Sequence, residues 1–250
     1  MSGIAPQPFV TPDWPPIPGV FALTTTRRGG VSAGPLASFN FGTAVNDDPE
    51  ALAENRRRLA AAAGLPSAPR WLRQVHGTTV ADLDAAAQPE TADAAVTRRP
   101  GVVCALLTAD CLPVLIARRD GTAVAAAHAG WRGLAGGVIE ATLDVLDAEP
   151  EALVAWLGPA IGPAHFEVGE EVRQAFLAGD PGAAGAFIGN ARGRWQCDLY
   201  SLARRRLTME GVVDIFGGEH CTYAETSRFY SHRRDAGQTG RMATLIWRSL

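Results

Sequence analysis

Apolar positions recur along the chain with two different periods, and the changes between them predict most of its elements. Residues 21–26 form a short β-branched run that reads as a strand, followed by the glycine-bearing loop Arg27-Arg28-Gly29-Gly30-Val31-Ser32. Asp48 and Pro49 supply an N-cap and a first-turn proline for an alanine- and arginine-rich helix that stops at Gly64 and Pro66. Residues 71–75 and 78–83 read as extended, with His76-Gly77 between them. The continuous apolar run 102–107 predicts a buried strand, broken by Thr108-Ala109-Asp110-Cys111. Two further strands, 113–117 and 123–127, flank Asp120-Gly121, a two-residue hairpin signal. A glycine-rich turn, His128 to Gly133, then leads into a helix over 134–146. Beyond it the pattern predicts a strand at 151–157, a helix at 168–177, a loop at 178–194, a helix at 199–210 capped by Asp198, and a terminal strand at 244–247.

Strands and helices alternate here without a βαβ rhythm, so the expected fold class is α+β with mixed sheets. No repeat or linker divides the chain. The reading is one catalytic domain over residues 19–250 behind an irregular, proline-bearing leader at residues 1–18. Hydrophobic residues at 47% against 20% charged place it among globular chains rather than disordered ones. The formal net charge of -3 calls for no nucleic-acid partner. Neither a signal-peptide pattern nor an apolar run long enough to span a bilayer is present, so no membrane association is expected. All basic residues are arginine, which removes lysine Schiff-base chemistry and the phosphate-binding lysine of a P-loop. Cys104, Cys111, Cys197 and Cys221 include no Cys-x-x-Cys pair, and so few cysteines point to a reducing compartment.

The hairpin turn makes a geometric prediction. If Asp120-Gly121 is a two-residue loop, Arg119 pairs with Thr122 and Pro113 faces His128. Cys111 and His128 then sit at the same end of one hairpin, and diagonal neighbours on paired strands are roughly 7–8 Å apart. A thiol beside an imidazole supports either an activated nucleophile or metal binding, thiolate as soft ligand and imidazole as borderline ligand. The alternative is a buried small hydrophobe beside a satisfied strand-end histidine. His76, at a break between extended segments, is the natural third donor; two histidines, a thiolate and an open position make a catalytic zinc pattern. The spacings match no short zinc motif, so the fold must bring His76 in. His165, His220 and His232 read as surface or hydrogen-bonding residues.

These segments resemble the hallmark blocks of one family. Leu72-Arg73-Gln74-Val75-His76-Gly77, Thr108-Ala109-Asp110-Cys111-Leu112-Pro113 and Ala127-His128-Ala129-Gly130-Trp131-Arg132-Gly133 match three of them. Arg28-Gly29-Gly30-Val31-Ser32, Gly158 to Pro163, Phe229 to Asp235 and Thr239-Gly240-Arg241-Met242-Ala243 complete the pattern. The chain is similar over about residues 20–248 to the laccase-domain, polyphenol-oxidase-like family, whose members are described as purine nucleoside phosphorylases and some as peptidoglycan editing factors. The resemblance implies a layered α/β/β/α arrangement and a cytoplasmic enzyme. It would cleave adenosine, inosine and methylthioadenosine with phosphate, with a possible adenosine deaminase activity. It also implies that His76, Cys111 and His128 are the catalytic metal ligands; their donor types suit zinc, and the Irving–Williams order allows copper at the same site.

The laccase label itself meets an obstacle. Five histidines and no His-x-His pair cannot fill both a mononuclear and a trinuclear copper centre, so a true multicopper oxidase is not expected. Phosphorolysis needs an anion site, for which Arg28, Arg132 and Arg241 are candidates, Arg132 being best placed near a helix start. Asn40 is a candidate sugar or base contact or a turn residue, and Asp110 a proton carrier or a turn cap. Two other readings stand beside the nucleoside enzyme. One is a cysteine hydrolase editing peptidoglycan precursors, with Cys111 as nucleophile and His128 as base. The other is a non-catalytic metal-binding protein.

Overall fold

The structure, a computed structural model, describes residues 9–249 apart from positions 88 and 90. The first eight residues of the segment expected to be an irregular leader lie outside the described residues. In chain order the described elements are β1 (Phe9–Val10), β2 (Val20–Thr25), α1 (Pro49–Ala63), β3 (Arg70–Trp71), β4 (Val80–Asp82), β5 (Ala94–Thr97), β6 (Val103–Thr108), β7 (Leu112–Arg118) and β8 (Val124–Ala129). They continue with α2 (Trp131–Gly136), α3 (Val138–Leu146), β9 (Leu153–Leu157), β10 (Glu167–Val168), α4 (Glu170–Leu177), β11 (Phe187–Gly189), β12 (Trp195–Cys197), α5 (Leu199–Met209), β13 (Ile215–Gly217) and β14 (Met242–Arg248).

Two mixed sheets lie face to face. One runs β1-β2-β14-β6-β3 and the other β13-β9-β7-β8-β5-β4, with β3 parallel to β6, β13 parallel to β9 and β4 parallel to β5. Strand alternation assigns each side chain to a layer. Cys104, Leu106 and Ile246 of the first sheet meet Leu115, Ala117, Val124, Ala126 and Trp156 of the second between the sheets. Val103, Ala105 and Leu245 point the other way, onto Leu59 of α1 and onto Phe39 and Phe41. Val114, Ile116, Ala125 and Ala127 point outward from the second sheet onto Leu134, Val138 and Ile139 of α2 and α3, Phe176 of α4 and Leu202 of α5. The order of layers is therefore α/β/β/α, and the fold is α+β. The central strands are buried on both faces, which is why they read as unbroken apolar runs.

The helix expected over 134–146 is two helices. Gly137 takes φ +97 and ends α2 with its N–H on the Gly133 and Leu134 carbonyls, a left-handed cap that a helix-propensity reading passes over. Val168 belongs to β10 and α4 starts two residues later. The expected loop at 178–194 contains β11, which joins β10 and β12 in a small three-stranded sheet. Phe9–Val10, inside the expected leader, pairs antiparallel with β2. The strands β5, β12 and β13 were not expected, being short and flanked by small or polar residues. By contrast, Asp48 caps α1 through the Glu50 N–H, Gly64 closes it at φ +60, and Asp198 caps α5 through the Ser201 N–H, as the residue pattern predicts. Among the described residues no helix is long and apolar enough to cross a membrane.

Candidate metal centre

The expected hairpin register is the observed one: Pro113 pairs with His128 and Leu112 with Ala129. The chain turns through Arg118 to Gly121, and Arg118 and Ala123 close the ladder. Cys111 immediately precedes β7 and His128 lies one residue from the end of β8, so both reach the same mouth. His76 joins them from the stretch between β3 and β4. Its Nε2 is 3.7 Å from Cys111 Sγ, its ring centroid is 4.8 Å from that of His128, and the three donor atoms all lie within 4.8 Å of one another.

His76 is held in the left-handed region at φ +61 by a residue that the sequence reading did not single out. Asp93 is wholly buried, and its carboxylate accepts the N–H groups of Val75 (3.1 Å), His76 (2.8 Å) and Gly77 (2.8 Å). The same carboxylate binds His128 Nδ1 at 2.8 Å, and the Asp93 carbonyl accepts the His128 N–H at 2.7 Å. One side chain thus positions both histidines and leaves His128 Nε2 for the sulfur side. Gln74 adds a second tie, its amide donating to the Leu107 carbonyl and accepting the Leu107 N–H. The signal for Asp93 was present in the sequence as a lone carboxylate in the apolar run Ala92 to Val96, which burial must pair. Gly130 completes the packing, for a Cβ there would stand 2.9 Å from His76 Cδ2 and 3.0 Å from Cys111 Sγ.

The electrostatics agree with the geometry. Burial alone would raise the Cys111 thiol, but the His128 imidazolium beside it and hydrogen bonds from both histidines bring it down to about 6. Burial opposes charge on His128, yet the Cys111 thiolate and Asp93 raise it to about 9. Burial likewise opposes the Asp93 charge, and the His128 and backbone N–H bonds overcome it, holding the carboxyl below its usual range. Cys104 and Cys197, by contrast, are buried without such partners and are pushed up. A tetrahedral zinc with one sulfur and one nitrogen ligand sets those atoms about 3.6 Å apart, which the 3.7 Å Cys111–His76 separation matches. Two imidazoles, a thiol lowered toward thiolate and a carboxylate orienting one imidazole form a donor set that would suit zinc.

That pocket has a volume of about 580 Å³. It takes in all three donors together with Arg73, Arg132, Arg233, Arg241 and His232, and apolar walls that include Trp131 and Phe166. Arg132 and Arg241, expected at the site, line it. Arg28 and Asn40, also expected there, do not: the Arg28 guanidinium donates to the Ser227 carbonyl, and the buried Asn40 carboxamide is engaged by Gly42, Asp47 and the Arg241 N–H. Asn40 therefore shapes the loop beneath Arg241. Asp110 lines the pocket, but its carboxylate is taken by Thr222, Ser231 and the Arg233 N–H, so it ties the β6–β7 link to the 222–233 segment. His232 and Arg233, ranked low or passed over in sequence, reach the pocket from that segment.

Two mixed sheets between helical layers, with a His–Cys–His group able to hold an ion in the lining of a pocket, define the class of this protein. The chain belongs to the family described as multi-copper polyphenol oxidoreductase laccase, whose model matches residues 21–249. Among the described residues a single group of histidine, cysteine or acidic side chains is placed to share an ion. A relative in Escherichia coli named purine nucleoside phosphorylase YfiH is 53% identical over 240 residues, 96% of this chain and 98% of that protein. A purine nucleoside phosphorylase of Haemophilus influenzae is 46% identical over 240 residues, covering 95% and 98%. The crystal structure of Neisseria meningitidis protein NMB0706 superposes with a TM-score of 0.91 at 49% identity, covering 98% of this chain and 100% of that one. That of YlmD from Geobacillus stearothermophilus superposes at 0.88 and 33% identity, covering 99% and 98%.

Proposed function

We propose that this chain is a metal-dependent purine nucleoside phosphorylase of the cytoplasm. It would cleave adenosine, inosine and methylthioadenosine with phosphate to the free base and the (methylthio)ribose 1-phosphate, with adenosine deamination as a further activity of the same pocket. The observation that carries the reading is the convergence of His76, Cys111 and His128 in the lining of a pocket of about 580 Å³, a volume in the range of small-molecule sites. The names of full-length relatives support the choice of substrate.

In this reading His76, Cys111 and His128 hold zinc, and copper is able to take the same donors. The bound ion supplies Lewis acidity and activates water. Asp93 fixes the His128 ring so that Nε2 faces the sulfur, and the backbone bonds it accepts keep His76 in place. Trp131 and Phe166 offer apolar faces for a purine, and the arginines that line the pocket compensate the charge of phosphate. The test is to incubate zinc-loaded protein with each nucleoside and phosphate. Release of base and ribose 1-phosphate, lost in Cys111→Ala, is expected; a fully loaded protein that turns over none of the three nucleosides would overturn the reading.

One observation favours a second reading. Cys111, His128 and Asp93 form a thiol–imidazole–carboxylate series, the arrangement of an activated cysteine nucleophile. A cysteine hydrolase acting on peptidoglycan precursors would use it. His76 beside the same sulfur weighs against this, because a second imidazole crowds a nucleophile and completes a metal site. A hydrolase would keep its activity after chelation, whereas the phosphorylase would lose it.

A further inference from the structure

Asp110 is a buried carboxylate next in sequence to Cys111, and its φ of +88 is a left-handed conformation uncommon outside glycine. Its partners are not those of a turn cap, which would accept N–H groups about two residues on. Oδ1 accepts the Thr222 hydroxyl at 2.6 Å, and Oδ2 accepts the Ser231 hydroxyl at 3.0 Å and the Arg233 N–H at 2.7 Å. These donors lie 112, 121 and 123 residues along the chain.

The main chain closes the same knot. The Asp110 carbonyl accepts the Ile161 N–H at 2.9 Å, and the Ala160 carbonyl accepts the Thr222 N–H at 2.9 Å. Residue 110 is thus bound to the loop at 158–163 and to the segment at 222–233, and those two are bound to each other. Ile161, His232 and Arg233, on these two stretches, line the pocket. Arg233 is further fixed by donating to the Glu167 carbonyl and lying over the Phe166 ring. On the other side of the joint stands Cys111. It lies one residue outside β7, whose ladder with β8 ends at the Leu112–Ala129 pair. The hairpin register therefore fixes only one of the two neighbours of Cys111, and Asp110 is the other.

Resting on the reading of Cys111 as a metal ligand, we propose that Asp110 is a positioning residue that sets the Cys111 sulfur and the His232–Arg233 wall of the pocket relative to each other. Its three side-chain bonds hold a backbone conformation that costs free energy when unsupported, and the chain passes from it directly into Cys111. Asp93 orients the two histidines from one side. Asp110 does the same for the sulfur from the other, through the main chain rather than through a bond to the ligand itself.

The test begins with Asp110→Gly, which keeps the left-handed backbone and deletes the ties. Zinc affinity should fall at least about tenfold, as for residues that orient a metal ligand. The cobalt-loaded protein should show weaker thiolate charge-transfer absorption, and at saturating zinc the nucleoside KM should rise. Asp110→Asn tolerates the same φ and is able to accept the Arg233 N–H while donating to the Thr222 hydroxyl, so it should recover most of the loss. Thr222→Val removes one tie from a residue that does not line the pocket. It should move the cobalt spectrum in the same direction by less, and should add nothing in the Asp110→Gly background. If Asp110→Gly does not fold, Thr222→Val decides the question alone. Wild-type zinc affinity, spectrum and KM in folded Asp110→Gly overturn the positioning role, and so does an unaltered spectrum in Thr222→Val. A wild-type protein that takes up no zinc removes the ligand reading and this role together. Zinc binding that depends on Asp110 without turnover of any nucleoside leaves the role standing while the phosphorylase reading falls.

Discussion

The two halves of the candidate metal centre are built by different means. Cys111 and His128 lie at the same end of one hairpin, the open end of its two strands, and their closeness follows from a turn and the register it sets. His76 comes from a non-strand stretch and is placed by a buried carboxylate that immediately precedes a different strand, β5. The first half is a consequence of local chain geometry. The second depends on one side chain satisfying several backbone donors at long range, and the two should fail differently.

The largest effect should follow removal of that carboxylate. Asp93→Ala strips partners from three backbone N–H groups and the His128 ring at once. A broken buried network of this kind costs about 3–5 kcal/mol. Urea unfolding of the metal-free variant should show that loss, and zinc titration should show a collapse in affinity. His76→Ala removes an exposed ligand without touching the network, so it should lose zinc with little change in metal-free stability. If Asp93→Ala unfolds within about 1 kcal/mol of wild type, the contrast between the halves is wrong.

Next in size is a substitution that forces the halves apart. The Gly130 backbone is in a region open to any residue, with φ -61, but an added methyl meets both His76 and Cys111. Overpacking of this sort costs roughly 1–3 kcal/mol. In Gly130→Ala, cobalt-substituted protein should show weaker thiolate charge-transfer absorption and reduced affinity. An unaltered spectrum would mean that the donors have room to spare.

Titration probes the shared sulfur. The Cys111 pKa is lowered to about 6, so its contribution to stability is full above the ordinary thiol value and is lost as pH falls through about 6. The His128 pKa is raised to about 9, so its contribution is full below the ordinary imidazole value and is lost as pH rises through about 9. The charged pair therefore persists between these limits. Alkylation of the metal-free protein by iodoacetamide should quicken with a midpoint near 6 at Cys111. A midpoint near the ordinary thiol value would show that His128 does not face the sulfur.

What was legible in the sequence follows the same division. Turn and cap chemistry are local, so the hairpin register, α1 from Asp48 to Gly64 and the Asp198 cap could be read directly. The family blocks pointed to His76 as well. The carboxylate that places it was missed because β5 is a short alanine-rich strand, with neither the periodicity nor the bulky residues that mark strands. Arg28 and Asn40 illustrate the other limit, for they were expected to contact substrate and do not line the pocket. Their residue types suit anion and sugar binding, but main-chain carbonyls, N–H groups and Asp47 claim them first, and only packing decides that.

The smallest effect should come from the turn itself. Asp120 accepts the Thr122 N–H at 2.9 Å and its hydroxyl at 2.6 Å, and the Gly121 N–H donates to the Arg118 carbonyl. These bonds are exposed, so Asp120→Ala should cost no more than about 1 kcal/mol. The register has a second guarantee, since β7 is also paired along its length with β9, from Val114–Leu157 to Arg118–Leu153. A one-residue slip would turn every β7 side chain to the wrong face and break both ladders together. Zinc affinity in Asp120→Ala should therefore equal that of wild type. A loss of more than severalfold would mean that the turn, and not the doubly paired strand, sets the distance between Cys111 and His128.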